Sequence, residues 1–285
     1  MTNLNNFAGI DVSKEFFDVH FYLQGKPLSQ HLPNNPKGFK QLVQKLSIEN
    51  HCVMEATGPY YLRLACFLVE QGIKVSVVNP LVIKRYSQMR LIRSKTDKAD
   101  AKMIAEYASQ HVLILWEAPK DYMVQLQQLE ALTDGYVSSK LALGNQLKSF
   151  EVTGKMDAET KRFMKKELRH LDGQLKLLMD KMDSLVKQHF KELYENLTSI
   201  PGVGKKTAIG LIVLSNGFTK FKEYRQLSSY VGLCPRVYES GTSIKGKGRI
   251  CKMGMSRIRK LLYLCSWSAV KTNRACKQMY DRLVG

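Results

Sequence analysis

Two short apolar runs that each end in a carboxylate, Asn6-Phe-Ala-Gly-Ile-Asp11 and Cys52-Val-Met-Glu55, most constrain the fold open to this chain. Each reads as a strand, so each acid is held where a strand of a sheet stops. Phe17 to Leu23 alternates as a second strand would, which puts Asp11 on the first strand of a hairpin. Glu55 precedes the breaker Thr57-Gly58-Pro59, Pro59 to Gln71 has helical spacing, and a third run, Lys74-Val-Ser-Val-Val-Asn79, precedes Pro80. Strands alternating with helices imply an α/β sheet. The segment Asp97-Lys-Ala-Asp100-Ala-Lys-Met-Ile-Ala-Glu-Tyr-Ala108 is rich in helix formers. It sets Asp97 and Asp100 at i and i+3, about 5–6 Å apart on one helical face.

Asp11, Glu55, Asp97 and Asp100 in one crevice would repel one another and drive their own protonation unless cations neutralised them. Oxygen-only ligands favour magnesium, with manganese as a substitute. Two ions about 3.5–4 Å apart would stabilise both the attacking and the leaving oxygens of a phosphodiester. The plainer reading is that these acids are surface charges or helix caps.

Composition points to the same partner. The chain has 285 residues, with 44 Lys+Arg against 25 Asp+Glu and a formal net charge of +19. From Ser199 onward there are 17 basic and 3 acidic residues, a net of +14 that leaves +5 for everything before it. Such asymmetry suits a polyanion, and neutralising 6–10 phosphates would make affinity fall roughly 10³–10⁵-fold from low to moderate salt. A membrane surface is the competing reading, but no basic amphipathic helix stands apart from the folded pattern. No apolar run approaches the ~18 residues of a membrane span, and the polar start Met1-Thr-Asn-Leu-Asn-Asn6 is not a signal peptide, so a cytoplasmic location is expected. The six cysteines include no C-x-x-C pair, which argues against zinc and for reduced, mostly buried thiols.

The middle of the chain reads as a helical arm. Met164, Leu168, Leu171, Leu175, Leu178, Met182, Leu185 and His189 follow alternating steps of four and three, the spacing of a coiled-coil seam, with His189 expected to pack in it. A looser seam runs from Leu129 to Phe150, and a break near Thr153-Gly154 would let two antiparallel helices pair within one chain or mate between chains. Ile200-Pro-Gly-Val-Gly-Lys-Lys-Thr fails the spacing of a nucleotide phosphate loop. It reads instead as a helix-hairpin-helix whose N–H groups, with Lys205 and Lys206, would grip a nucleic-acid backbone, or as a plain turn between packed helices. Further on, Glu239-Ser240-Gly241 lies in a basic loop where Ser240 could act as a nucleophile, with Ser243 as competitor. Lys245, Lys247, Arg249, Lys252 and Arg257 complete the basic residues expected to meet nucleic acid.

The order Gly-Ile-Asp11-Val-Ser, Glu55-Ala-Thr-Gly-Pro, Lys95-Thr-Asp97-Lys-Ala-Asp100-Ala, Ile200-Pro-Gly-Val-Gly, Gly232-Leu-Cys-Pro, Ser240-Gly and Lys252-Met-Gly254 resembles the DEDD transposases of the IS110 insertion-sequence family over nearly the whole chain. Pilin-gene invertases resemble it too. The resemblance implies a RuvC-like (ribonuclease H) α/β domain at residues 1–118, a helical coiled-coil arm at 119–197, and a mainly helical, basic transposase domain with a helix-hairpin-helix-like element at 198–285. It implies that Asp11, Glu55, Asp97 and Asp100 hold magnesium and that Ser240 is the nucleophile, since the family's serine immediately precedes glycine. Donor and target DNA and a guiding bridge RNA are the implied partners, with a homodimer assembling to a tetramer and a composite site from both domains. The family's pattern runs past a segment like Tyr280-Asp-Arg-Leu-Val-Gly285 with a lysine-rich stretch and another helix, a departure from this sequence.

Three readings of other classes stay open: a simple metal nuclease or junction resolvase in which Ser240 is structural, a sugar-kinase-like ATPase suggested by Gly9-Ile-Asp-Val-Ser13, and a non-catalytic nucleic-acid binder. The absence of a second glycine-rich phosphate loop and the basic C-terminal segment argue against the kinase.

Overall fold

A computed structural model of the chain describes residues 6–91, 97–236, 239–240, 244–245 and 249–284, without the side chains of 97–98, 239–240 and 244–245. It divides into two compact units, Met1–Pro119 and Lys120–Gly285. The helices of the expected arm and the basic segment after it share the second unit.

The first unit is a five-stranded mixed sheet with helices on both faces, an α/β arrangement consistent with a RuvC-like nuclease fold. Its elements are β1 (Phe7–Val12), β2 (Phe16–Leu23), β3 (Lys26–Pro33), α1 (Pro36–Val43), β4 (His51–Glu55), α2 (Tyr61–Glu70), β5 (Lys74–Val78), α3 (Pro80–Met89) and α4 (Asp97–Gln110). The strand order is β3-β2-β1-β4-β5; β1, β2 and β3 form an antiparallel meander, whereas β4 and β5 add in parallel to β1. The expected hairpin, the helix after Glu55 and the strand before Pro80 are all present. The strand β3 and the helices α1 and α3 were not read from sequence. Lys26–Pro33 carries too little hydrophobic alternation to signal a strand, and α1 and α3 are short helices started by caps. Asn35 and Asn79 accept backbone N–H bonds ahead of Pro36 and Pro80, whose fixed φ suits a first helical position.

Strand alternation sorts the core. Ala8, Ile10 and Val12 of β1, Phe17, Val19 and Phe21 of β2, and Cys52 and Met54 of β4 pack with Phe39 and Leu42 of α1 and Leu64 and Leu68 of α2. Burial pushes the Cys52 thiol up to about 12, so it behaves as a small apolar group. On the other face, Val53 of β4 packs with Ile83 and Tyr86 of α3 and with Met103, Ile104 and Ala108 of α4. At Gly9 the α4 backbone lies directly on β1. A Cβ built there would meet the Ala101 carbonyl oxygen at 2.1 Å and the Ala105 nitrogen at 2.3 Å.

The second unit begins with two long helices, α5 (Asp121–Val152) and α6 (Ala158–Ser199), which pair along their length after a break at Thr153-Gly154. Met164, Leu171 and Met182 of the expected seam are buried, but toward the C-terminus Val186 and Tyr194 take over. A helix near 3.6 residues per turn drifts off a strict seven-residue seam, and α6 also kinks at Phe190. His189 is exposed there and stacks on Tyr122 at 3.9 Å between ring centres, outside the core where the seam spacing would have put it. Next come α7 (Lys205–Ser215), α8 (Tyr224–Val231), β6 (Pro235–Arg236), β7 (Glu239–Ser240), β8 (Ile244–Lys245), β9 (Arg249–Ile250), α9 (Ser256–Thr272) and α10 (Arg274–Val284). Among the described residues no helix is long and apolar enough to cross a membrane.

Because both neighbours of Gly9 are backbone atoms, neither can swing aside. Gly9→Ala is therefore expected to cost roughly 2–4 kcal/mol and lower the melting temperature by several degrees. A thermal melt checks this; an unchanged midpoint would mean that α4 does not rest on β1.

Candidate active site

The register of two strands decides where two of the acids lie. β1 and β4 pair in parallel, with Gly9 opposite Val53 and Ile10 opposite Met54. One step further, Asp11 and Glu55 stand side by side at the C-terminal ends of neighbouring strands, which run about 4.8 Å apart. Gly9 and Val53 both face α4, so two residues on, Asp11 and Glu55 face the same side. Both are half-buried. Glu55 accepts a hydrogen bond from the Thr57 hydroxyl at 2.7 Å, where the chain leaves the sheet.

The direction of α4 brings in the other two acids. Phe7, at the start of β1, borders a crevice with Gln110, His111, Val112 and Leu113, whereas Gly9 abuts Ala101 and Ala105. Hence α4 runs against β1. The next β1 residue on this face, Asp11, lies ~6.6 Å beyond Gly9, which is four to five residues of helix rise and reaches the first turn of α4. Asp97 opens that turn and Asp100, half-buried, closes it.

The donor set is entirely carboxylate, the chemistry that suits a hard divalent cation rather than zinc. Among the described residues no three His, Cys, Asp or Glu side chains come close enough to share an ion; the Asp97 side chain lies outside the described residues. The backbone thus gathers the four acidic positions at one end of the α4 face without a closed ligand cage among the described side chains.

Ser240 sits on a two-residue ladder with Ile244, the β7–β8 pair, whose side chains lie outside the described residues together with Gly241, Ser243 and Lys247. The base of this excursion is tightly built. Pro235 and Arg236 pair with Ile250 and Arg249, and the Lys252 N–H donates to the Gly232 carbonyl at 3.0 Å. Gly232 and Gly254 both have left-handed φ, of 81° and 125°. A Cβ on Gly232 would lie 2.2 Å from the Met253 carbonyl oxygen, and one on Gly254 at the same distance from that of Tyr230. The sequence blocks Gly232-Leu-Cys-Pro and Lys252-Met-Gly254 therefore clasp each other by backbone, and the serine hairpin springs from that clasp.

Known families match both halves. The pattern of the IS110 DEDD transposases matches residues 8–150, and that of the transposase IS116/IS110/IS902 family matches residues 194–281. The pilin gene-inverting protein of Moraxella bovis is 30% identical over 90% of this chain and 81% of its own length. Its Moraxella lacunata counterpart is 29% identical over the same shares, and the transposase for insertion sequence element IS1111A of Coxiella burnetii is 28% identical over 89% of this chain and 75% of its own. The chain belongs to the IS110 transposase family. It is accordingly a DNA transposase/recombinase, of a DEDD type that suggests dependence on a divalent metal.

The basic residues of this transposase divide into two groups. Arg249 and Lys252, at the foot of the serine hairpin, are exposed, and Lys245 belongs to the hairpin itself. Gly204 and Lys205 are also exposed, where the chain turns from α6 into α7. Lys205 lies 3.8 Å from Asp183. Arg257 on α9 is engaged internally: its guanidinium donates to Glu130, and to Asp134 at 3.3 Å, both on α5. These groups border a cavity of about 310 Å³ with Lys220 and Tyr230. Sequence reading missed this network because its partners are 123 and 127 residues apart and no local pattern links them.

Burial pushes the Glu130 carboxyl up to about 7, outweighing the Arg257 guanidinium that favours its charged form. A carboxyl raised above its unfolded value of 4.5 stabilises the fold below that pH, and the contribution is lost as pH rises through about 7. Arg257→Met would leave Glu130 buried without its hydrogen-bonded cation, with Lys206 remaining nearby. The expected cost is roughly 1–3 kcal/mol at pH 8, and much less at pH 5, where Glu130 is protonated. Melting curves of variant and parent at both pH values test this; equal losses would contradict it.

Proposed function

We propose that this transposase cuts and rejoins DNA to move an insertion sequence, using Asp11, Glu55, Asp97 and Asp100 to hold a divalent cation and Ser240 as the nucleophile, with a bridge RNA from its element selecting donor and target. The observation that carries the reading is the gathering of the four acidic positions at one end of the α4 face. Magnesium, in two ions with manganese as a substitute, fits the all-carboxylate donor set. Such a cation, when bound, neutralises phosphate charge and eases negative charge onto the attacking and leaving oxygens.

In the serine step, the Ser240 oxygen attacks a DNA phosphorus. A serine–phosphate ester forms, the P–O bond to one deoxyribose oxygen breaks, and the proton lost by the serine balances the one gained by the released hydroxyl. Because the ester keeps the energy of the broken phosphodiester, attack by a hydroxyl from another strand reverses the step without an outside energy source. The clasp formed by Gly232 and Gly254 supports this role by fixing both stems of the hairpin. The +14 charge from Ser199 onward, with Arg249 and Lys252 exposed at the hairpin's foot, suits a nucleic-acid backbone. Lys205 adds to that surface, Lys245 and Lys247 belong to the same basic segment of the sequence, Lys206 is half-buried near Glu130, and Arg257 serves chiefly to anchor α9 on α5.

Strand exchange needs more than one cut end, which favours a homodimer assembling to a tetramer. Exposed Leu141, Phe163 and Leu177 on the paired helices offer apolar surface for such contacts. The naming of the Moraxella relatives for pilin gene inversion favours a second reading, site-specific inversion without a guide RNA.

The test is trapping of covalent protein–DNA adducts on DNA carrying the element's ends, with copurifying RNA sequenced. The parent chain should give a denaturant-resistant adduct and a discrete element-encoded RNA. Ser240→Ala should abolish the adduct, while Asp11→Ala and Asp100→Asn should lower cleavage at least 10³-fold with DNA affinity within about threefold. Cleavage retained by Ser240→Ala would make the protein a metal nuclease, and an adduct formed without any RNA would favour the invertase.

A further inference from the structure

The row of residues that crosses the sheet at Asp11 holds one more carboxylate. In the antiparallel pair of β1 and β2, Asp11 is directly opposite Asp18, and in the pair of β2 and β3, Asp18 is directly opposite His31. Residues directly opposite in antiparallel strands point to the same face. Phe17, Val19 and Phe21 fill the core under α1 and α2, so Asp18 projects to the α4 face with Asp11 and Glu55. The sheet thus carries His31, Asp18, Asp11 and Glu55 in one line over four strands. The Asp18 side chain is only 15% exposed. One of its oxygens accepts a hydrogen bond from His31 Nδ1 at 2.9 Å, and the His31 ring is stacked on Phe16 at 4.7 Å.

Two like charges directly opposite in a sheet destabilise it. If Asp18 served only to tie β2 to β3 through His31, a neutral Asn or Thr would do so without repelling Asp11. Asp18 accepts from His31 with one oxygen, and its charge stands across the strand pair from Asp11. A cation held beside Asp11 turns that repulsion into attraction, because the second carboxylate then adds to its hold.

We propose that Asp18 belongs to the acidic site as a positioning residue: its charge strengthens the hold on the divalent cation at Asp11, and His31 fixes its orientation. Asp18 is not offered as a direct ligand. This rests on the reading of Asp11, Glu55, Asp97 and Asp100 as the cation-holding set. A unit charge ~6–8 Å from a divalent ion, partly screened by water, changes its affinity by roughly tenfold.

The experiment uses the full chain and two readouts. One is the rise in melting temperature on adding manganese without DNA; the other is the magnesium dependence of DNA cleavage. Asp18→Asn is expected to raise the half-saturating concentration of either metal roughly tenfold while keeping the maximal cleavage rate within about threefold, and His31→Gln to shift it less in the same direction. An unchanged metal dependence in Asp18→Asn, with only the metal-free melting point altered, would reduce Asp18 to a strand staple and overturn the proposal. Should Asp18→Asn fail to fold, Asp18→Glu and Asp18→Gln decide, since only the former retains the charge and should keep the parent's metal dependence. Asp11→Asn separates the two levels of the argument. If it abolishes cleavage and manganese stabilisation while Asp18→Asn behaves as the parent, only the Asp18 role fails; if Asp11→Asn retains both, the cation-holding set fails and this role with it.

Discussion

Backbone lies against backbone where α4 crosses β1, and the arrangement of the first unit depends on that contact. With no side chain at Gly9, the Ala101 and Ala105 turns of the helix sit directly on the strand. The approach fixes how far α4 has advanced when it passes Asp11, and so which helical residues face the strand end. Small residues here act as a ruler: the alanines of α4 and the glycine of β1 bring the Asp97–Asp100 turn to the carboxylates of β1 and β4. The parallel pairing of β1 with β4 supplies the other coordinate, since it sets Asp11 level with Glu55.

A comparable logic governs the second unit, with backbone clasp and ion pair in place of a helix on a sheet. Gly232 and Gly254 let two distant loop stems touch, and the serine hairpin begins and ends at that contact. Arg257 ties the following helix to α5 through Glu130 and Asp134. Burial disfavours the charge on Glu130, so this tie is a positional device more than a source of stability. Arg249 and Lys252, exposed at the hairpin's foot, are among the described cations left for an external polyanion.

Much of the first unit was legible in the sequence because its signals are local. The runs ending at Asp11 and Glu55, the breaker at Thr57-Gly58-Pro59 and the i, i+3 spacing of Asp97 and Asp100 each depend on a few neighbouring residues. Lys26–Pro33 was not legible because it becomes a strand by pairing with β2, a partner that its own composition does not announce. The charge row illustrates the same limit: Asp18 and His31 look like ordinary surface residues until register sets them beside Asp11. His189 matched the heptad spacing but lies exposed, because α6 drifts from the seam and kinks at Phe190 one residue later. The ion pairs of Arg257 span more than a hundred residues and could only be read in three dimensions.

The central claim is that the end of the α4 face where Asp11, Glu55 and the first turn of α4 meet is a divalent-cation site. Crystals of the full chain grown with manganese, with anomalous scattering recorded at the manganese edge, test it most directly. The account predicts anomalous density within ligand distance of the Asp11 and Glu55 carboxylates and on the side of the first turn of α4. Manganese absent there at millimolar concentration, or bound only at unrelated surface acids, would contradict it.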